Sequence, residues 1–160
     1  MRHEAVPVSK SAPFQPTPPL SPIVIETASP ADREEIYRFR HEVYARELGQ
    51  HSPNATEGLR DSLDEWNVYL VAKAGPEIAG FISLTPPGSP SFSIDKYFAR
   101  DTLPLPVDER LVEVRLLTVL KPYRSREVAG LVMYAALRWV EAHRVVRNRN
   151  LQCLIHEREL

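Results

Sequence analysis

Residues 111–120 read Leu-Val-Glu-Val-Arg-Leu-Leu-Thr-Val-Leu, and Pro122 follows almost at once. A short run so apolar predicts a strand covered on much of both faces. Pro122 has no backbone N–H to donate and blocks further pairing. From about Arg126 to His143 the period changes: Val128, Leu131, Val132, Ala135, Trp139 and Val140 recur at helical spacing. A strand, a short turn and a long one-sided helix leave few options. The helix must lie back on the sheet its strand belongs to, and a further strand, Leu151–Glu157, completes a β-α-β unit.

The preceding segments supply the rest of that sheet. Val68–Ala74 and Glu77–Thr85 flank Gly75-Pro76 and predict a hairpin. Ile23–Thr27 is a further strand. Ser29 is placed to cap a helix, Pro30 suits its first turn, and Asp32 sits three after the cap. Ile36, Phe39, Val43, Tyr44 and Leu48 share a face of that helix, and Gly49 ends it. Residues 51–67 are polar and broken by Pro53 and Gly58, a loop with room for one helical turn. Phe92–Arg100 fits a short helix or strand, and 102–110 is a loop. The expected fold class is α/β, a mixed and mostly antiparallel central sheet flanked by helices. No internal repeat is present. Residues 1–22 contain Pro7, Pro13, Pro16, Pro18, Pro19 and Pro22 and predict a disordered, proline-rich arm before a domain over 23–160.

Composition narrows the function classes. The 160 residues suit one domain, and 43% hydrophobic content is enough for a core. A formal net charge of -1 gives no case for nucleic-acid binding. No apolar run approaches the ~20 residues that span a bilayer, and the first ten residues lack an apolar signal core. A cytoplasmic location is expected, and Asn54-Ala55-Thr56 is then a chance sequon. Cys153 is the only cysteine, placed on an apolar strand as a small core residue would be. His3, His41, His51, His143 and His156 show no metal-ligand spacing, so no metal site is expected.

Three places can carry chemistry. The turn Lys121–Gly130 enters a helix whose first N–H groups lack intrahelical partners and carry partial positive charge. Arg124 and Arg126 add full charges there, enough for a pyrophosphate cradle. The same residues equally describe an ordinary helix start with solvated arginines. Asp61 and Asp64 suit an incoming ammonium group, or simply cap a helical turn. Glu113 and Arg115 share one strand face; Glu113 is placed to accept a proton through a water, and an ion pair within the sheet explains the two equally well.

Together these features resemble the GCN5-related N-acetyltransferases. That family wraps a cofactor pyrophosphate with a Q/R-x-x-G-x-G/A loop, matched here by Arg124, Glu127 in place of glycine, and Ala129. The upstream half resembles the branch of acyl-homoserine-lactone synthases and N-acyl-amino-acid synthases. Its R-x-x-V-F/Y helix corresponds to Arg40, Val43 and Tyr44, its D-x-x-D pair to Asp61 and Asp64, its strand tyrosine to Tyr69, and its E/R strand to Glu113 and Arg115. Two positions depart: Ser83 stands where that branch has arginine, and Glu113 precedes Arg115 by two residues instead of three.

The resemblance implies an N-acyltransferase moving an acyl group from acyl-CoA or an acyl-carrier protein to the amine of a small molecule, with no metal. It implies Glu113 as base and Arg40, Asp61, Asp64 and Arg115 around the acceptor. Backbone groups near Leu117 and Val119 would meet the thioester carbonyl if the strand carries the family's bulge. Arg124, Arg126, Glu127, Val128 and Ala129 would hold the pyrophosphate. The family fold continues past its fifth strand, so the C-terminal part is expected to be missing. An exposed sheet edge then predicts pairing into a homodimer. The alternative is a catalytically inactive or truncated domain kept as a binding or fusion module.

Overall fold

Segments of period 2 and period 3.6 fold where the sequence places them. The computed structural model describes residues 21–104, 106–108, 110–124, 126–146 and 152–155. In chain order they form β1 (Ile23–Thr27), α1 (Pro30–Arg40), β2 (Val68–Ala74), β3 (Glu77–Thr85), β4 (Leu111–Val119), α2 (Val128–Val146) and β5 (Gln152–Ile155). The arm expected over 1–22 lies, apart from Ser21 and Pro22, outside the described residues. So do the ends of the last predicted strand and the side chain of Cys153.

The five strands form one sheet in the order β1-β2-β3-β4-β5. The first three pairings are antiparallel and β4–β5 is parallel, as a strand-helix-strand crossover requires. Gly75 supplies the left-handed conformation (φ +62°) that the β2–β3 turn needs.

Each sheet face has its own core. On one, Leu70, Ala72, Ile82, Leu84, Val112 and Val114 meet Val128, Val132, Ala136 and Val140 of α2. The buried stripe of α2 thus runs at four-residue steps, and Leu131 points outward, against expectation. On the other face Tyr69, Val71 and Phe81 meet Ile36, Tyr37 and Val43.

Ser29 and Asp32 make the reciprocal capping box that the sequence predicts for α1. The helix does not stay α-helical to Gly49. From His41 to Glu47 it widens into a π-helix, closed by the Leu48 N–H donating to the Val43 carbonyl at 2.9 Å. That change of period takes Leu48 off the buried face, leaving it 48% exposed. The helical turns in the loops are 3₁₀: Ser62–Glu65, within the loop that has room for one, Ser93–Lys96, where a short helix or strand is expected, and Arg100–Thr102, which the sequence does not announce.

The expected bulge is present in β4. Ser83 pairs with Arg115 and Phe81 with Thr118, so Leu116 and Leu117 oppose a single β3 residue. Leu116 takes φ +57°, a conformation that L-residues with bulky side chains rarely adopt. The Thr118 hydroxyl braces it, donating to the Leu116 carbonyl at 3.2 Å and lying 3.0 Å from the Tyr44 hydroxyl. Gly80 is required opposite: an added Cβ would stand 2.8 Å from the Thr118 carbonyl and 2.9 Å from Val128.

Candidate acyltransferase site

Strand alternation puts a polar layer on the α1 face of the sheet. One row across β2, β3 and β4 is Tyr69, Ser83, Arg115; the next is Asn67, Thr85, Glu113. All six are at least nine-tenths buried. Buried polar side chains persist only when hydrogen-bonded, so their partners define what the layer is for.

Arg40, at the last turn of α1, enters from above. Its Nη1 donates to both oxygens of Asp64 at 2.9 Å and to the Tyr69 hydroxyl at 3.0 Å. The Tyr69 hydroxyl donates in turn to Asp64 at 2.6 Å. Asp61 caps the turn that carries Asp64, accepting from the Leu63 N–H at 2.9 Å, while Asp64 accepts from the Asp61 N–H at 2.7 Å. Asp61 also ion-pairs with Arg115 and, at 3.4 Å, with Arg40. Capping and charge pairing are therefore one arrangement. The four residues expected around an acceptor, Arg40, Asp61, Asp64 and Arg115, meet in a single ring closed by Tyr69.

The electrostatics follow from this enclosure. Burial works to raise the pKa of Asp61, but the Arg115 guanidinium beside it wins and holds the carboxyl below its usual range. Burial, with the Asp64 carboxylate adding to it, pushes the Tyr69 phenol well above its ordinary value against the pull of Arg40. Asp61, its side chain 21% exposed, is where the ring opens to solvent.

Glu113 sits deeper than a solvent-linked base would. It is fully buried, and its oxygens accept from the Ser93 hydroxyl (2.7 Å), the Ser93 N–H (2.8 Å), the Ile94 N–H (3.0 Å) and, more weakly, the Thr85 hydroxyl (3.4 Å). It anchors the 3₁₀ turn after β3 to β4.

The second region lies beyond the bulge. Leu117 is exposed and Val119 half-buried at the end of β4. Glu127 is exposed and its carbonyl accepts the first bond of α2, from the Leu131 N–H at 3.0 Å; Val128 is buried and Ala129 exposed. The two arginines are already engaged. Arg124 forks onto Glu47 of the π-helix, Nη2 at 2.7 Å from one oxygen and Nη1 on the other, and its Nε donates to the Val119 carbonyl at 3.1 Å. The fork's hydrogen bonds to the Glu47 carboxylate lower its pKa. Arg126 donates to the Ser21 carbonyl at 3.1 Å.

Sequence reasoning missed Asn67, Thr85, Ser93 and Glu47. Ser83 and Thr85 had a signal, since they alternate with buried Ile82 and Leu84. Glu47 had none; its partner lies 77 residues away. Among the described residues no cluster of three or more His, Cys, Asp or Glu is arranged to hold a metal, and no helix is long and apolar enough to cross a membrane.

A family model of the acetyltransferase (GNAT) domain matches residues 39–134. No curated protein sequence matches the chain significantly. The CoA-dependent acyl-homoserine lactone synthase BjaI, solved with SAM and isopentyl-CoA, aligns with a TM-score of 0.65 at 22% identity, over 76% of this chain and 62% of BjaI. The AHL synthase LasI aligns with a TM-score of 0.65 at 14% identity, over 84% of this chain and 72% of LasI. A GNAT family acetyltransferase from Brucella melitensis, solved with acetyl-CoA, gives a TM-score of 0.56 at 15% identity, over 86% and 77%. At these identities the likeness is one of fold. This chain spans 62% of the length of BjaI.

Proposed function

We propose a function for a chain that belongs to the GNAT acetyltransferase family: transfer of an acyl group from acyl-CoA or an acyl-carrier-protein thioester to the amine of a small molecule. The observation that carries this reading is the bulge at Leu116, set between the buried ring and the N-terminus of α2. A bulge interrupts the strand ladder and frees backbone groups for another partner. Leu117, outside the pairs that Arg115 and Thr118 make with β3, then offers its backbone N–H to the thioester carbonyl, whose oxygen gains negative charge as the amine attacks. The first turn of α2 attracts phosphate by its unpaired N–H groups and dipole. Glu127 is exposed, which leaves that turn open.

Asp61 receives the acceptor's ammonium at the open side of the ring. The amine loses its first proton to solvent there, its nitrogen bonds to the acyl carbon, and the C–S bond breaks as the second proton leaves the nitrogen, so that the amide forms and the sulfur departs as the free thiol. We assign Glu113 a positioning role, because it is fully buried and its oxygens are already taken by donors from Ser93, Ile94 and Thr85. The rate then rises with pH as the amine deprotonates, with no step set by Glu113.

One observation favours a second reading, a binding module without turnover: Glu47 fills the fork of Arg124. A single assay separates the two. The chain is incubated with acetyl-CoA or a long-chain acyl-CoA and a pool of primary amines, and free CoA thiol is measured. Amine-dependent thiol release supports the transferase. A ligand-induced thermal shift without release supports the binding module. Neither with CoA esters nor with acyl-carrier protein would sink both.

A further inference from the structure

The hydroxyls of Tyr44 and Thr118 form a chain that ends on the bulge. The Thr118 hydroxyl donates to the Leu116 carbonyl at 3.2 Å. Its oxygen lies 3.0 Å from the Tyr44 hydroxyl. A hydroxyl has a single proton to give. The Thr118 proton is committed to Leu116, so Tyr44 is the donor in the other bond. The chain therefore runs one way, from Tyr44 through Thr118 to the Leu116 carbonyl. Thr118 is buried and Tyr44 half-buried, and away from bulk water such linked bonds polarise one another.

The Leu116 carbonyl and the Leu117 N–H belong to one planar peptide unit. That unit is trans, as are all the described peptide bonds, so the two groups point in opposite directions and holding one aims the other. Leu116 needs such a hold. At φ +57° its backbone lies where an L side chain is disfavoured, and turning the unit over is a ready way to relieve it. Donation into the carbonyl opposes that turn. It also draws charge from the N–H of the same unit and makes it the stronger donor. Leu117 is the residue that stands outside the β3 pairs of Arg115 and Thr118. Tyr44 comes from the π-helical span, one turn past Arg40, so the helix that closes the buried ring also sets the bulge.

Resting on the acyltransferase reading above, we propose that Tyr44 and Thr118 are positioning residues for acyl transfer. Their one-way hydroxyl chain holds the 116–117 peptide unit so that the Leu117 N–H meets the thioester carbonyl oxygen and the negative charge it develops. Both residues act through the backbone and not on the substrate.

The test separates recognition of the carbonyl from binding of the cofactor. Acetyl-CoA and S-ethyl-CoA, in which a methylene replaces the thioester carbonyl, are titrated calorimetrically into the full chain without an acceptor. The wild type should bind acetyl-CoA about fivefold tighter than ethyl-CoA, the worth of one hydrogen bond. Thr118→Val keeps the shape without the hydroxyl and should bring that ratio to about one, and Tyr44→Phe to about two. Thr118→Ser restores the hydroxyl and should restore the ratio. Ethyl-CoA affinity should stay within about twofold throughout, because that ligand has no carbonyl for the N–H to meet. A merely structural role would weaken both ligands together. If Thr118→Val does not fold, Tyr44→Phe carries the test with its ring intact. Equal affinities in the wild type, an unchanged ratio in Tyr44→Phe, or a Thr118→Ser chain that has lost the ratio would each overturn the inference and leave CoA-ester binding standing. Binding of neither ligand at millimolar concentration would overturn the CoA-ester reading and the inference with it.

Discussion

An arginine site lies on either side of the β4 bulge, one on the strand and one in the turn after it, and the two are built on opposite principles. Before Leu116, Arg115 joins Arg40, Asp61, Asp64 and Tyr69 in a buried ring whose members come from α1, the turn at 62–65, β2 and β4. After it, Arg124 pairs with Glu47 across the surface, with both side chains more than a third exposed. The buried ring cannot rearrange without stranding a charge in the core. The exposed pair is screened by salt and exchanges partners at little cost. On the function proposed above, the difference would suit two ligands: a fixed frame for a small acceptor, and a replaceable carboxylate for a phosphate group to displace from Arg124. The helix from Pro30 to Glu47 spans both, since its α-helical part ends in Arg40 and its π-helical part delivers Tyr44 and Glu47.

Breaking the ring should produce the largest effect. Arg40→Ala leaves Asp64 buried without its cation and should cost about 3–5 kcal/mol in urea unfolding. A loss below about 1 kcal/mol would place the ring on the same footing as the surface pair. Tyr69→Phe removes only the hydroxyl that donates to Asp64 and should cost about 1–3 kcal/mol. Acidification gives a smaller effect of definite sign. Because the folded chain holds the Asp61 pKa below its unfolded value, its contribution is present above the usual carboxylate pKa of about 4 and is lost as pH falls through the depressed folded value. Asp61→Asn should therefore flatten the acid limb of a stability–pH profile. Glu47→Gln should change stability least, yet free the Arg124 fork and tighten acyl-CoA binding severalfold, most visibly at low salt. If it weakens binding, Glu47 helps to hold the ligand and the comparison fails at that point.

The order of elements was legible because each is announced locally: the Ser29–Asp32 box, the Gly75 turn, the proline after β4. The ring was legible as a set of residue types, through motifs whose order survives in the chain. Its geometry was not, since Arg40, Asp61, Tyr69 and Arg115 converge only once the sheet forms. Two things eluded the sequence for physical reasons. The π-helical widening at His41–Glu47 has no periodic signature of its own and removed Leu48 from the face assigned to it. The enclosure of Glu113 is the other, since its donors come from Ser93 and Ile94, 20 and 19 residues upstream in a loop without periodicity.

The central claim is that this chain holds an acyl thioester at the turn after β4. Titration of acetyl-CoA and a long-chain acyl-CoA, followed by thermal unfolding of wild-type and Arg124→Glu chains, tests it most directly. The account predicts a saturable rise in Tm for the wild type. It predicts little or none for Arg124→Glu, whose unliganded Tm should match the wild type within a few degrees. An equal rise in both chains would contradict the assignment of the turn, and no rise in either at millimolar ligand would contradict CoA-ester binding itself.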